Sequence, residues 1–242
     1  MKYSESKIAI IADIHANYYC LKKALEDIKK RKVKEIIFLG DYITDGFENN
    51  KVLDVIKNYK YVIAGNREIS IANYDGHSWD GSEQFKNMLY TYHNITEKNR
   101  DYIKKLPPYR IITCNGKKIC LSHGIPFNSR ECVNFDSFAI FDKLMEKYPC
   151  DVYLFAHTHE AYCTTYKTKL FINPGSVILP ADGPTLKYGI LDLRNMKYEP
   201  ISVLYDLKEL REYYLNYVRW ESYLQINLFS QTFFLPSIFW YL

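Results

Sequence analysis

Five times in this chain a short apolar run ends on a residue able to bind a metal ion. Lys7 to Ala12 leads into Asp13-Ile14-His15, and Ile36 to Leu39 into Gly40-Asp41. Tyr61 to Ala64 leads into Gly65-Asn66, Lys117 to Leu121 into Ser122-His123, and Asp151 to Ala156 into His157-Thr158-His159. Unbroken apolar runs of this length suit parallel strands covered on both faces. Their carboxyl ends are where open α/β sheets place ligands. The stretch Glu35 to Tyr42 shows the grammar most clearly: Gly40 lets the backbone turn and approach closely, and Asp41 follows it.

Between these runs lie helical patterns. Tyr18 to Lys30 places Leu21, Ala24, Leu25 and Ile28 on one face with basic residues near its end, and Lys51 to Tyr59 carries Val52, Leu53, Val55 and Ile56. The opening is therefore β-α-β-α-β, which predicts a parallel sheet with right-handed crossovers and an α/β fold. Residues 70–108, with the stripe Phe85, Met88, Leu89 and Tyr92, read as an inserted helical cap. Tyr109 to Cys114 and Lys117 to Leu121 read as a hairpin around Asn115-Gly116. Residues 125–150 form a second insertion, with a helix near Phe135 to Lys147. Short strands follow at Lys169 to Ile172, Lys187 to Leu193 and Ile201 to Tyr205, then a closing helix from Leu207 to Tyr223. We expect one domain over residues 1–224 and an apolar tail over residues 225–242.

A chain of 242 residues can bury a substantial core. Its net charge of +4 is too small to argue for nucleic acid or an anionic membrane. Six scattered cysteines without a CxxC pair point to reduced thiols. No signal peptide or spanning segment is legible, so a cytoplasmic location is expected. The tail holds Phe229, Phe233, Phe234, Phe239, Trp240 and Tyr241. It reads first as packing on the parent domain and second as a homo-oligomer interface. Membrane contact comes last, because the tail lacks Lys and Arg.

Each ligand-type residue alone is weak, since a lone loop histidine is more often solvated or structural. Seven together are harder to explain otherwise, because buried polar groups are costly without partners. Oxygens from Asp13, Asp41 and Asn66 with imidazoles from His15, His123, His157 and His159 suit borderline divalent ions better than a structural thiolate site. The set exceeds one tetrahedral site and suits two ions. These need a bridging carboxylate, for which Asp41 is the natural candidate. In a strand, His157 and His159 would share a face; in a loop they can diverge and serve both ions.

Asp13-x-His15, Gly40-Asp41, Gly65-Asn66, His123 and His157-x-His159, in that order, resemble the calcineurin-like metallophosphoesterase superfamily. Asp-Ile-His-Ala-Asn at 13–17 and Asn-Pro-Gly-Ser-Val at 173–177 resemble its small prokaryotic phosphodiesterase branch, which also includes a eukaryotic retromer scaffold subunit. The resemblance implies a four-layer α/β/β/α sandwich with a dinuclear site at the strand ends. Asp13, His15 and His159 would hold one ion, Asn66, His123 and His157 the other, and Asp41 would lie between. A bridging hydroxide would attack phosphorus. Manganese is the first expectation, with iron, zinc, nickel or cobalt as alternatives. The substrate would be a small phosphate ester: a phosphodiester, nucleotide or dinucleoside polyphosphate.

Two positions depart from the family pattern. Arg67 stands where many members carry His, and Ala156 where Gly is frequent. Arginine keeps its proton and is a poor general acid, but it can pair with phosphate. Arg67 is therefore counted with Asp41, Asn66 and His123 as catalytic, the plainer alternative being a surface ion pair with Glu68. Either the leaving group is good or a cap residue supplies the proton. Asp45 reads equally as a turn residue or as a partner for His15. His77 and His93 read as surface residues, and Asn173 and Ser176 as shaping their loop. A non-catalytic scaffold is the rival function, which loss of ligands would have favoured. A protein phosphatase is another, disfavoured because the segment 40–46 lacks an Asp-Arg-Gly ending.

Overall fold

The computed structural model describes residues 6–77, 82–178 and 185–215. In order these form β1 (Lys7–Ile11), α1 (Tyr18–Lys30), β2 (Glu35–Phe38), α2 (Asn49–Ile56), β3 (Tyr61–Val62), α3 (Asn66–Asn73), α4 (Glu83–Asn94) and α5 (Glu97–Lys104). Then come β4 (Tyr109–Cys114), β5 (Lys117–Ser122), α6 (Phe138–Lys147), β6 (Val152–Leu154), β7 (Tyr162–Tyr166), β8 (Lys169–Asn173), β9 (Thr185–Asp192) and β10 (Lys197–Leu204). Residues 207–215 are helical. The rest of the expected closing helix and the whole apolar tail lie outside the described residues.

Two five-stranded sheets carry the fold, ordered β10-β9-β1-β2-β3 and β4-β5-β6-β8-β7. β1 pairs parallel with β2, and β2 with β3, as the β-α-β-α-β opening predicts. Alternation along the strands divides the core. Ala9 and Ile11 of β1, with Ile36 and Phe38 of β2, pack outward against Leu21, Ala24 and Ile28 of α1 and Val52 and Leu53 of α2. Ile8, Ile10, Ile37 and Leu39 point the other way, onto Ile119, Leu121, Val152, Leu154 and Ile172 of the second sheet. That sheet's outer face packs Tyr153, Phe155 and Phe171 against Phe141 and Leu144 of α6. The result is helix, sheet, sheet, helix. Because the inner strands are buried on both faces, their sequences show apolar runs rather than alternation.

Helix ends follow their caps. Asn17 accepts from the Cys20 N–H at 2.9 Å, and Ser82 accepts from Phe85 at 3.1 Å. The described residues of the 70–108 stretch are largely helical, yet Ile95 and Ile103 belong to the same buried cluster as α1 and α2. This stretch thus thickens the outer helical layer. Several expected boundaries shift. β3 stops at Val62 because Ala64 donates to Pro107 O at 2.8 Å instead of continuing the ladder. α2 begins two residues before Lys51, at Asn49, and α6 starts at Phe138 rather than Phe135. β10 runs from Lys197 instead of Ile201, paired along its whole length with β9. β7 was not expected at all. It is an edge strand with alternating exposure and no apolar run to mark it.

Candidate metal centre

The loops after β1, β2, β3, β5 and β6 converge at one edge of the sandwich. Ligand atoms of Asp13, His15 and His159 lie within 4.8 Å of one another, and so do those of Asp41, His123 and His157. The two groups adjoin. Asp41 Oδ2 lies 3.3 Å from His123 Nε2 and 3.9 Å from His15 Nε2, so it stands between them. Asp13 Oδ1 is 3.6 Å from His159 Nε2 and 3.8 Å from His123 Nε2. Asn66 opens α3 between Gly65 and Arg67, and the Arg67 N–H donates to Asp41 Oδ1 at 2.9 Å. All seven expected residues therefore occupy the same region. His157 and His159 diverge into different groups, both on left-handed backbone.

Several of these atoms are orphaned. Asp13 Oδ1, Asn66 Oδ1 and His123 Nε2 are buried without a hydrogen-bond partner. Unpaired buried groups are costly, and Asp13 Oδ1 and His123 Nε2, set among imidazoles and carboxylates, belong to a donor set fitted to divalent cations. The imidazoles are oriented from behind. His123 Nδ1 sits 2.8 Å from Leu39 O, which directs Nε2 inward. His15 Nδ1 faces Asp45 Oδ2 at 3.2 Å, close but not aligned as a full hydrogen bond. Burial acts against the charged form of His123, yet the adjacent Asp41 carboxylate prevails and lifts its pKa to about 9. Burial likewise opposes ionisation of Asp41, but His123 and His15 hold it well below the usual carboxylate range. His157 and His159 are depressed, first by burial.

Glu68 is a residue of the site that sequence reasoning missed, naming it only in the alternative reading of Arg67. It does not pair with Arg67. Fully buried, it accepts four backbone N–H groups: Asp41 at 2.9 Å, Tyr42 at 2.8 Å, Ile43 at 3.3 Å and Gly65 at 2.8 Å. It ties the Asp41 loop to the Asn66 loop. Burial and the charge of Asp41 push its pKa up to about 7. All four bonds are nevertheless accepted, which favours the ionised carboxylate. The spacing Gly65-x-x-Glu68 at a helix start, where a glutamate reaches back to the cap, was the available signal. Gly65 also has to be glycine, because a Cβ there would lie 2.2 Å from Asp41 Oδ1.

Asp45 resolves as a partner of the site. Its Oδ2 contacts His15 and lies 3.0 Å from Arg67 Nη2, and Asn87 Nδ2 donates to its Oδ1 at 3.0 Å. Burial opposes its charge, but these contacts hold its pKa at about 2. Asn173 Nδ2 donates to Ala156 O, and Ser176 Oγ to Asp13 O, both at 2.9 Å. His77 and His93 are exposed.

Residues 7–196 match the calcineurin-like phosphoesterase superfamily domain. The chain belongs to that superfamily. An uncharacterized protein of Methanocaldococcus jannaschii is 27% identical over 231 residues, covering 86% of this chain and 91% of that protein. A phosphodiesterase of the same archaeon is 26% identical over 198 residues, covering 81% of this chain and 98% of its own. A crystal structure of a hypothetical protein from Pyrococcus horikoshii superposes with a TM-score of 0.74 at 21% identity, covering 85% of this chain and 91% of that one. The four-layer sandwich is thus a phosphoesterase fold, and the chain is a metal-dependent phosphoester hydrolase.

Proposed function

We propose that this phosphoesterase hydrolyses a phosphodiester, a nucleotide or a dinucleoside polyphosphate. In this reading Asp13, His15 and His159 hold one divalent ion, Asn66, His123 and His157 a second, and Asp41 serves both, with Mn²⁺ the metal of choice. The observation that carries it is Asp41 Oδ2 standing between two ligand groups in which the buried Asp13 Oδ1 and His123 Nε2 have no hydrogen-bond partner. Bound there, the ions would act as Lewis acids and acidify a water nucleophile.

The chain's own residues orient that chemistry. Leu39 O and Asp45 aim the His123 and His15 rings. Arg67 Nε is buried, has no hydrogen-bond partner and lies 4.0 Å from Asp41 Oδ2, a donor placed for a phosphate oxygen. Since arginine cannot give up its proton, leaving groups of low basicity fit best. The phosphate leaving group of a dinucleoside polyphosphate meets that condition, and the archaeal phosphodiesterase relative supports the diester class. Specificity is assigned to the stretches 70–108 and 125–150. Among the described residues no helix is long and apolar enough to cross a membrane.

Purified protein should cleave bis-p-nitrophenyl phosphate with Mn²⁺ and lose the activity in chelator. Absence of turnover with every first-row divalent metal would overturn the reading.

A further inference from the structure

Arg67 projects from the first turn of α3, and a side chain of its length has no fixed aim unless something holds it. Its far end is held twice. Nη2 lies 3.0 Å from Asp45 Oδ2. The Gln84 amide oxygen, in the orientation that satisfies both groups, accepts from Nη1 at 2.7 Å and Nη2 at 3.0 Å. With both terminal nitrogens engaged, the unpartnered Nε–H edge is left beside Asp41 Oδ2. Planar guanidinium geometry turns a grip on one edge into an aim for the other.

Asp45 needs an anchor of its own. Its Oδ2 serves Thr44 Oγ1 at 2.9 Å, His15 Nδ1 at 3.2 Å and Arg67 Nη2 at 3.0 Å. Contacts to one oxygen leave the carboxylate free to pivot about it. The other oxygen takes Asn87 Nδ2 at 3.0 Å, which fixes the plane. Gln84 and Asn87 lie three residues apart on α4, so they share a face of that helix. α4 is itself footed in the core through Met88 and Tyr92.

We propose that Asn87 and Gln84 are positioning residues, a clamp from the 70–108 stretch that aims Arg67 Nε–H at the substrate phosphate. The proposal rests on the phosphoesterase reading above. It makes α4 part of the site's geometry rather than only its cover.

The test measures kcat and KM on bis-p-nitrophenyl phosphate with Mn²⁺, and inorganic phosphate affinity by calorimetry. The proteins are the wild type, Asn87→Ala, Gln84→Ala, Arg67→Ala and the two double variants with Arg67→Ala. Each clamp variant should weaken phosphate binding and kcat/KM by about tenfold in the wild-type background and by less than about twofold where Arg67 is already gone. Asn87→Asp, isosteric but setting a carboxylate against Asp45, should lose at least as much as Asn87→Ala. Equal losses in both backgrounds, or no loss, would overturn the clamp. Gln84 is exposed, so its variant should fold even if Asn87→Ala does not. If the wild type binds phosphate but hydrolyses nothing, the enzymatic reading fails and phosphate affinities alone decide the clamp. If it binds no phosphate, the clamp proposal falls.

Discussion

Asp13, His15, Asp41, His157 and His159 all take positive φ, between 46° and 70°. Left-handed backbone costs a residue with a Cβ roughly 1–2 kcal/mol. That conformation persists only where the surroundings over-determine it, and it lets His157 and His159, which a strand would hold on one face, diverge into different groups. At Asp41 the restraint is Glu68, whose carboxylate holds the N–H groups of Asp41, Tyr42, Ile43 and Gly65. Glu68→Gln keeps the shape but sets an NH₂ against two of those donors. It should lower stability by about 2–4 kcal/mol, read from the denaturant midpoint. Unchanged stability would remove Glu68 from this role. The candidate ligands themselves were legible as residue types at strand ends. Glu68 was not read as part of the site, because its helix-start spacing signals a cap and not the further bonds to Asp41, Tyr42 and Ile43 across the loop.

Elements divide by what marked them. Runs buried on both faces, as in β1 and β2, leave an apolar signature, and α1 was readable from its apolar spacing and basic last turn. β7 left none, being half-exposed at an edge. Expected strands also ran too long at their carboxyl ends, where the chain leaves the ladder to present its ligands. The β4–β5 hairpin shows local chemistry deciding alone. Asn115 and Gly116 adopt φ of 48° and 74°, as a type I′ turn requires. A Cβ on Gly116 would meet nothing within 4 Å, so Gly116→Ala tests backbone strain without steric clash. It should cost about 1 kcal/mol in chemical denaturation and leave metal binding unchanged. A neutral substitution would mean the turn is not strained.

At the scale of the molecule, the centre is assembled from loops of both sheets, so folding and metal binding are linked. Ligands that bind only the folded state stabilise it by mass action, about 2.7 kcal/mol at a hundredfold excess over Kd. Mn²⁺ should therefore raise Tm by about 5 °C or more, and chelator should reverse it. A Tm indifferent to metal would argue against ions at Asp13, Asp41 and their imidazoles. The α/β class, the parallel start and the seven ligand-type residues at strand ends were written in the sequence, because burial on both faces and ligand chemistry each leave a local pattern. Two things were decided only in three dimensions. Glu68 was turned onto backbone N–H groups, and Asp45, Gln84 and Asn87 were gathered around Arg67. Each depends on left-handed turns and on contacts between segments tens of residues apart, which local spacing does not encode.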